Sequence, residues 1–170
     1  MKRIFLLFSV VALFLTACGE GGAPRLGSDG KPLPQVHRIS ARDTDKIKFR
    51  MLDSINTLRQ ASGAGQVQMN ALLNAAAETH SRDMSRQNRP WHFGSDGSSP
   101  LDRVARIGYT RTLRGENISE TFETELETLS AWMDEAGTRN VILDRGATEM
   151  GFAWYQEPNG KIWWTLILGG

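Results

Sequence analysis

From residue 44 onward, apolar side chains recur at helical spacing. Ile47, Met51, Ile55 and Leu58 fall on one stripe, which predicts a first helix over 44–61 that Gly63 and Gly65 stop. A second helix follows Asn70, a capping residue, and sets Leu73, Ala76, Ala77, His80 and Met84 at offsets of 0, 3, 4, 7 and 11, so His80 lies on the buried face as a hydrogen-bonded core residue. Ser99-Pro100-Leu101-Asp102 joins a capping serine, a proline at the first helical position and an acid three residues after the cap. That predicts a short helix ended by Gly108. Ile118 marks a short strand, and Phe122, Leu126, Leu129 and Met133 predict a third long helix from about Ser119, with Glu120 and Glu123 at the positive end of its dipole. The period then switches from 3.6 to 2. Met150, Phe152 and Trp154 alternate with smaller or polar residues, Pro158-Asn159-Gly160 supplies a turn, and Ile162 to Leu168 returns as a second strand. Trp163 and Trp164 face opposite sides, which requires both faces of the sheet to be covered. Helices followed by a terminal hairpin predict an α+β layered sandwich.

The residues before 44 follow another pattern. Lys2 and Arg3 precede an apolar run from Ile4 to Leu15 that is too short to span a bilayer, and Leu15-Thr16-Ala17-Cys18 resembles a bacterial lipobox, whose cysteine is acylated after cleavage on its amino side. On this reading residues 1–17 are a lipoprotein signal peptide, 18–43 the lipidated Cys18 with a flexible tether, and 44–170 one domain. Five glycines and three prolines between Gly19 and Arg42 fit a tether reaching roughly 25–30 Å, with His37 a solvated tail residue. Acyl chains contribute about 0.8 kcal/mol per buried methylene, enough to hold the chain on a membrane. In lipoproteins of this kind an aspartate after the cysteine favours retention in the inner membrane. Gly19 stands there, which favours the outer membrane of a double-membraned host. Cleavage would leave 18 basic against 19 acidic residues, a balance that calls for no nucleic acid. Cys18 is the only cysteine, so no thiol remains for a disulfide or a metal.

Candidate chemistry concentrates between Trp91 and Asn117. Trp91-His92-Phe93-Gly94-Ser95-Asp96-Gly97-Ser98 is followed by Arg103, Gly108-Tyr109 and Gly115-Glu116-Asn117-Ile118. His92 beside Glu116 meets the minimum for general acid–base chemistry, and the same pair can serve as a buried hydrogen bond that pins this run to the sheet. No Gly-x-Ser-x-Gly elbow and no paired-histidine metalloprotease helix occur, and Ser95 and Ser98 sit in a turn that uses them as caps. Arg103 is expected to pair with a carboxylate such as Asp96 or Asp83. Arg103, Arg106, Arg111 and Arg114, interspersed with Asp102 and Glu116, read as a solvated or internally paired surface.

Together these runs resemble the CAP superfamily, or SCP domain, of cysteine-rich secretory, antigen 5 and pathogenesis-related 1 proteins. The resemblance covers nearly all of residues 47–168. It rests on Asn56-Thr57-Leu58-Arg59, Ala77-Glu78-Thr79-His80-Ser81-Arg82-Asp83-Met84, the His92 to Gly108-Tyr109 run, Glu116-Asn117-Ile118, and Trp132-Met133 through Arg139-Asn140-Val141-Ile142-Leu143. It implies a three-layer α-β-α sandwich around a mostly antiparallel sheet, with a cleft of two histidines and two glutamates that binds a divalent metal in some members. Carried across, His92 is the first histidine, Glu116 the first glutamate and Glu135 the second, while the second histidine is replaced by Thr138. A neutral hydroxyl is a poor substitute for imidazole, so no metal or other cofactor is expected, His92 being the residual candidate ligand. The expectation is an envelope-anchored, non-catalytic binding or scaffold module. Its degenerate cleft would comprise His92, Glu116, Glu135 and Thr138, and its ligand would be a lipid, glycan or protein. The alternative is a hydrolase of peptide or cell-wall material using His92 with Glu116 and Glu135 as acid/base residues.

Overall fold

A computed structural model describes residues 28–31 and 36–170; the expectations for the signal segment, Cys18 and most of the tether lie outside the described residues. A short 3-10 turn, Ala41–Asp43, leads into α1 (Thr44–Ala61), followed by β1 (Gln68–Met69), α2 (Ala71–Gln87), α3 (Pro100–Arg106) and β2 (Leu113–Ser119). Then come α4 (Glu125–Asp134), α5 (Ala136–Ile142), β3 (Glu149–Gln156) and β4 (Ile162–Gly169). The strands form one sheet in the order β1-β3-β4-β2, with β1 parallel to β3 and the other pairs antiparallel. The expected α+β sandwich with a mostly antiparallel sheet is therefore the observed fold.

Strand alternation sorts the core into two layers. Met150 and Phe152 of β3 and Trp164, Leu166 and Leu168 of β4 pack against Ile47, Met51 and Ile55 of α1 and Leu129 and Trp132 of α4. On the other face, Ala153 and Ile167 meet Leu73, Ala76 and Ala77 of α2 and Val104 of α3. Every residue of β4 is buried, as a central strand covered on both sides requires. Gly151 lets α2 lie directly on the sheet, because a Cβ there would run into the main chain of Leu73 and Asn74.

Two polar side chains of α1 close the far end of the sandwich. Asn56 pairs with both main-chain groups of Val67, at 3.0 and 2.8 Å, and so fixes the entry to β1. Arg59 is fully buried and donates to the carbonyls of Gly65 (2.7 Å), Ile142 (2.7 Å), Asp144 (3.0 Å) and Ala147 (2.8 Å), tying the α5–β3 connection to the end of α1. Burial pulls its pKa below the ordinary arginine value, against the nearby charge of Asp144.

The third long helix differs from the expectation. Residues 113–119 are strand, and α4 begins only at Glu125, behind a Thr124–Glu127 capping box. Glu125 and Glu127, rather than Glu120 and Glu123, therefore occupy the first turn. The buried face becomes Glu125, Thr128, Leu129 and Trp132, and Leu126 is exposed. Local cap chemistry outweighed an apolar stripe that began too early. Glu135 then takes an extended conformation and divides the helical run into α4 and α5.

Just before α1, residues expected in the tether are fastened to the β3–β4 turn. Gln156 donates to the His37 carbonyl (2.7 Å) and accepts from the Ile39 N–H (3.0 Å), while Arg38 donates to the carbonyls of Glu157 (3.0 Å) and Pro158. The compact unit accordingly begins at Val36.

Candidate functional site

The register of β2 decides which side each residue serves. Glu116 pairs with Ile167, which pairs with Gly151, so its side chain points into the α2 and α3 layer. Asn117 pairs with Leu166, next to Phe152, and points the opposite way.

The Glu116 carboxylate is the hub of the first side, with a side chain only 1% exposed. Its Oε1 accepts from His92 Nδ1 at 2.9 Å and lies 3.7 Å from His80 Nε2. Its Oε2 accepts from Arg103 Nη2 at 2.6 Å. Burial alone would raise the Glu116 pKa, but the His92 hydrogen bond, the nearby N–H of His80 and the Arg103 guanidinium outweigh it and hold the carboxyl below its usual range. His80 sits on the central face of α2, and its Nε2 lies 3.0 Å from the Trp91 carbonyl, so that nitrogen carries the proton. Its Nδ1 is buried without a partner among the described residues. Burial lowers the His80 pKa despite the pull of Glu116, which leaves the ring neutral near pH 7.

The loop that carries His92 is held at several points. Gly94 N–H donates to the Ser98 carbonyl (2.8 Å) and Gly97 N–H to the Gly94 carbonyl (2.9 Å), Gly97 taking a positive φ of 79°. Asp83 of α2 accepts from the Ser95 N–H and Oγ at 2.6 and 2.7 Å. Ser99 caps α3 in a capping box, which turns Arg103 inward to donate to the His92 carbonyl (2.8 Å) and the Ser98 carbonyl (3.2 Å) as well as to Glu116. The expected partners of Arg103 were wrong. Asp96 pairs with Arg106 at 2.7 Å and Asp83 with Arg86 at 2.9 Å, whereas Arg103 pairs with Glu116 across the layer.

His92 is thus oriented through Nδ1 while its side chain remains 50% exposed. Such an imidazole can accept a proton or a hydrogen bond at Nε2. Ser95 Oγ is engaged with Asp83, and no hydroxyl among the described residues bonds His92.

Thr138 and Glu135 belong to the α4–α5 junction, beyond the other face of β2. The Thr138 hydroxyl donates to the carbonyls of Trp132 (2.6 Å) and Glu135 (3.2 Å), and its own carbonyl accepts from Asn117 Nδ2 (2.9 Å). Glu135 is exposed, and its carboxylate makes no hydrogen bond or ion pair among the described residues. Of the four expected cleft residues, the structure joins His92 to Glu116 and leaves Thr138 and Glu135 as a separate wall. This donor set does not fit a resident divalent metal. Both Glu116 oxygens are taken by N–H donors, one of them a guanidinium, and no group of three or more His, Cys, Asp or Glu is arranged to hold an ion among the described residues.

Sequence reasoning missed the roles of His80 and Arg103 beside Glu116. Helical offsets set His80 inward but could not name its neighbour on a strand. For Arg103 the usable signal was its position four residues after the Ser99 cap, beside Val104, which is buried with it.

A mostly antiparallel sheet between helical layers is the fold expected of a CAP or SCP domain. The model of the cysteine-rich secretory protein family, CAP, matches residues 52–168, and the chain belongs to that family. It is 29% identical over 120 residues to the uncharacterized protein YkwD of Bacillus subtilis (strain 168), covering 71% of this chain and 46% of that protein. The chain thus spans less than half the length of this relative. Among solved structures, an outer surface protein from Borrelia burgdorferi matches with a TM-score of 0.68 at 15% identity over 79% of this chain and 98% of the other. An extracellular protein containing an SCP domain from Bacillus anthracis matches with a TM-score of 0.65 at 22% identity, over 77% and 44%. Both likenesses are of fold. Among the described residues no helix is long and apolar enough to cross a membrane.

Proposed function

We propose that the chain is an envelope-anchored CAP-domain lipoprotein whose domain binds a ligand without transforming it. The observation that carries this reading is the saturation of Glu116: a carboxylate with both oxygens bound, one to a buried guanidinium, holds a loop in place and does not shuttle protons. His92 is left as an oriented, half-exposed recognition group with no nucleophile bonded to it. Cys18 supplies the anchor, and the residue after it, Gly19, favours the outer membrane. The outer-surface and extracellular descriptions of structurally similar proteins support an extracytoplasmic site.

The test is to screen the full chain in detergent micelles against lipid, glycan and peptide probes, in parallel with His92→Ala. Binding that is lost in the variant at a nearly unchanged melting temperature supports the reading; equal binding by both forms refutes a role for the site. The free Nε2 of His92 also favours one second reading, hydrolysis of peptide or cell-wall substrates with His92 as base. Turnover that disappears in His92→Ala would establish it in place of simple binding. For the anchor, Cys18→Ser should move the chain from the membrane pellet to the soluble fraction, and retention in the pellet would overturn the lipidation.

A further inference from the structure

The floor between the two walls is the outer edge of β2, and its main chain has a defined polarity. Thr112 and Gly170 exchange both of their main-chain hydrogen bonds, at 3.1 and 3.0 Å. In an antiparallel ladder such pairs recur at every second residue, so Gly170, Leu168, Leu166 and Trp164 direct their main-chain groups toward β2. Their partners Gly115, Asn117 and Ser119 are the bonded residues of β2, and Glu116 and Ile118 turn their N–H and C=O outward. The β3 strand obeys the same count, since Thr148 and Met150 present their carbonyls to β1, accepting from Gln68 and Asn70.

What meets these outward groups is unequal. The Ile118 carbonyl accepts from Trp132 Nε1 at 3.1 Å. The N–H and C=O of Glu116 and the N–H of Ile118 have no partner among the described residues. The Glu116 side chain is 1% exposed while the residue as a whole is 8% exposed, so solvent reaches it mainly through its main chain. This edge is also recessed. Gly115, Ile118 and Ser119 are only half-exposed although no strand flanks them, with the His92 loop on one side and Trp132 and the α4–α5 junction on the other.

We infer that this recess takes an extended polypeptide segment, which adds to the sheet as a short strand on β2 by bonding the Glu116 N–H and C=O and the Ile118 N–H. Unpaired, alternating main-chain donors and acceptors match an extended peptide and offer little to an acyl chain or a flat sugar face. The recess also selects against the edge of a second copy of this chain, which would bring its own helical layers against both walls. The Trp132 indole on the Ile118 carbonyl ends the paired stretch, so two or three ligand residues pair. Their alternate side chains meet the half-exposed His92 imidazole on one wall and the α4–α5 junction, with exposed Glu135, on the other. This deepens the binding reading above and rests on it.

The test uses the full chain in detergent micelles, a fluorescent library of extended hexapeptides, and amide exchange followed by NMR. The Glu116 and Ile118 amides should exchange fast without peptide, unlike Asn117, and become protected when a peptide from the library binds. N-methylation along the selected peptide should weaken binding about tenfold at alternate positions and hardly at the positions between them. This scan leaves the protein untouched. As a protein-side variant, Ile118→Pro removes one outward N–H and no ladder bond, and should weaken the peptide by a similar factor. Binding without protection of Glu116 and Ile118, or an N-methyl scan without alternation, would overturn the inference. Protection that appears without peptide, together with a doubled mass, would overturn it in favour of edge-to-edge dimers. If glycan or lipid probes bind through His92 while every peptide fails, the strand addition is refuted and the binding module stands.

Discussion

Replacing Glu116 by glutamine removes a charge and almost no volume, which makes it the sharpest probe of the hub. The carboxylate now offsets the guanidinium of Arg103, whose side chain is only 7% exposed. Removing one partner of a buried pair leaves the other charge uncompensated, at about 3–5 kcal/mol. The glutamine carbonyl can still accept one of the bonds now made by His92 and Arg103, so the expected cost is about 3 kcal/mol. For a domain of roughly 135 residues that lowers the melting temperature by about 9–12 °C, measurable by calorimetry or circular dichroism at pH 7. Because the folded Glu116 pKa lies below its unfolded value, its contribution is present in full above the ordinary carboxylate range and is lost as pH falls through the folded value. The gap between wild type and variant should therefore be widest at neutral pH and close below about pH 4. Arg103→Met should also destabilise, and the double variant should cost less than the sum of the singles. A loss below about 1 kcal/mol in Glu116→Gln, or strict additivity with Arg103→Met, would refute the assignment of Glu116 as the hub.

Three further outcomes follow from neighbouring features. His80 has a depressed folded pKa, so below about pH 6.5 the unfolded chain takes up a proton that the native state refuses; stability should fall with acidification by up to about 1.4 kcal/mol per pH unit, and His80→Gln, though weaker at pH 7, should lack that slope in denaturant titrations. Arg59→Met leaves four carbonyls without their donor, of which those of Ile142 and Ala147 are buried, and should cost about 3 kcal/mol or more, with Arg59→Lys restoring only part of it; urea unfolding within about 1 kcal/mol of wild type would contradict the role given to Arg59. Gly151→Ala drives a methyl group into the α2 main chain and should cost about 3 kcal/mol or more, whereas Gly65→Ala, with open space around it, should stay within about 0.5 kcal/mol.

The first two helices and the hairpin could be read from the chain because their burial is periodic and their ends carry explicit caps. Asn70, Ser99, Gly63 and Gly108 each act locally, so nothing distant can overrule them. The start of α4 was misread because Phe122 continues the apolar stripe backwards, while the residue that sets the boundary is Thr124, whose hydroxyl and Glu127 form a reciprocal cap. A two-residue strand such as β1 has no period to detect. At the site, the pairing of His92 with Glu116 was legible through family spacing. The partner of Arg103 was not, because Asp83, Asp96 and Glu116 are equally good acceptors until the register of β2 points one of them inward. The separation of Thr138 and Glu135 from His92 has the same origin, since neighbouring positions on a strand face opposite layers.

The fastening of His37 and Ile39 by Gln156 has a mechanical consequence. A pull on the amino side of the domain meets this clip and the Arg38 contacts before it reaches α1, and the clip is made of a few hydrogen bonds at the mouth of a turn rather than of packed core. Released, residues 36–43 would extend to at most roughly 25 Å, at about 3.3 Å per residue, while the sheet and the His92–Glu116 pair stayed unloaded. The strap is a fuse that yields first, which lets the recognition surface keep its shape under strain.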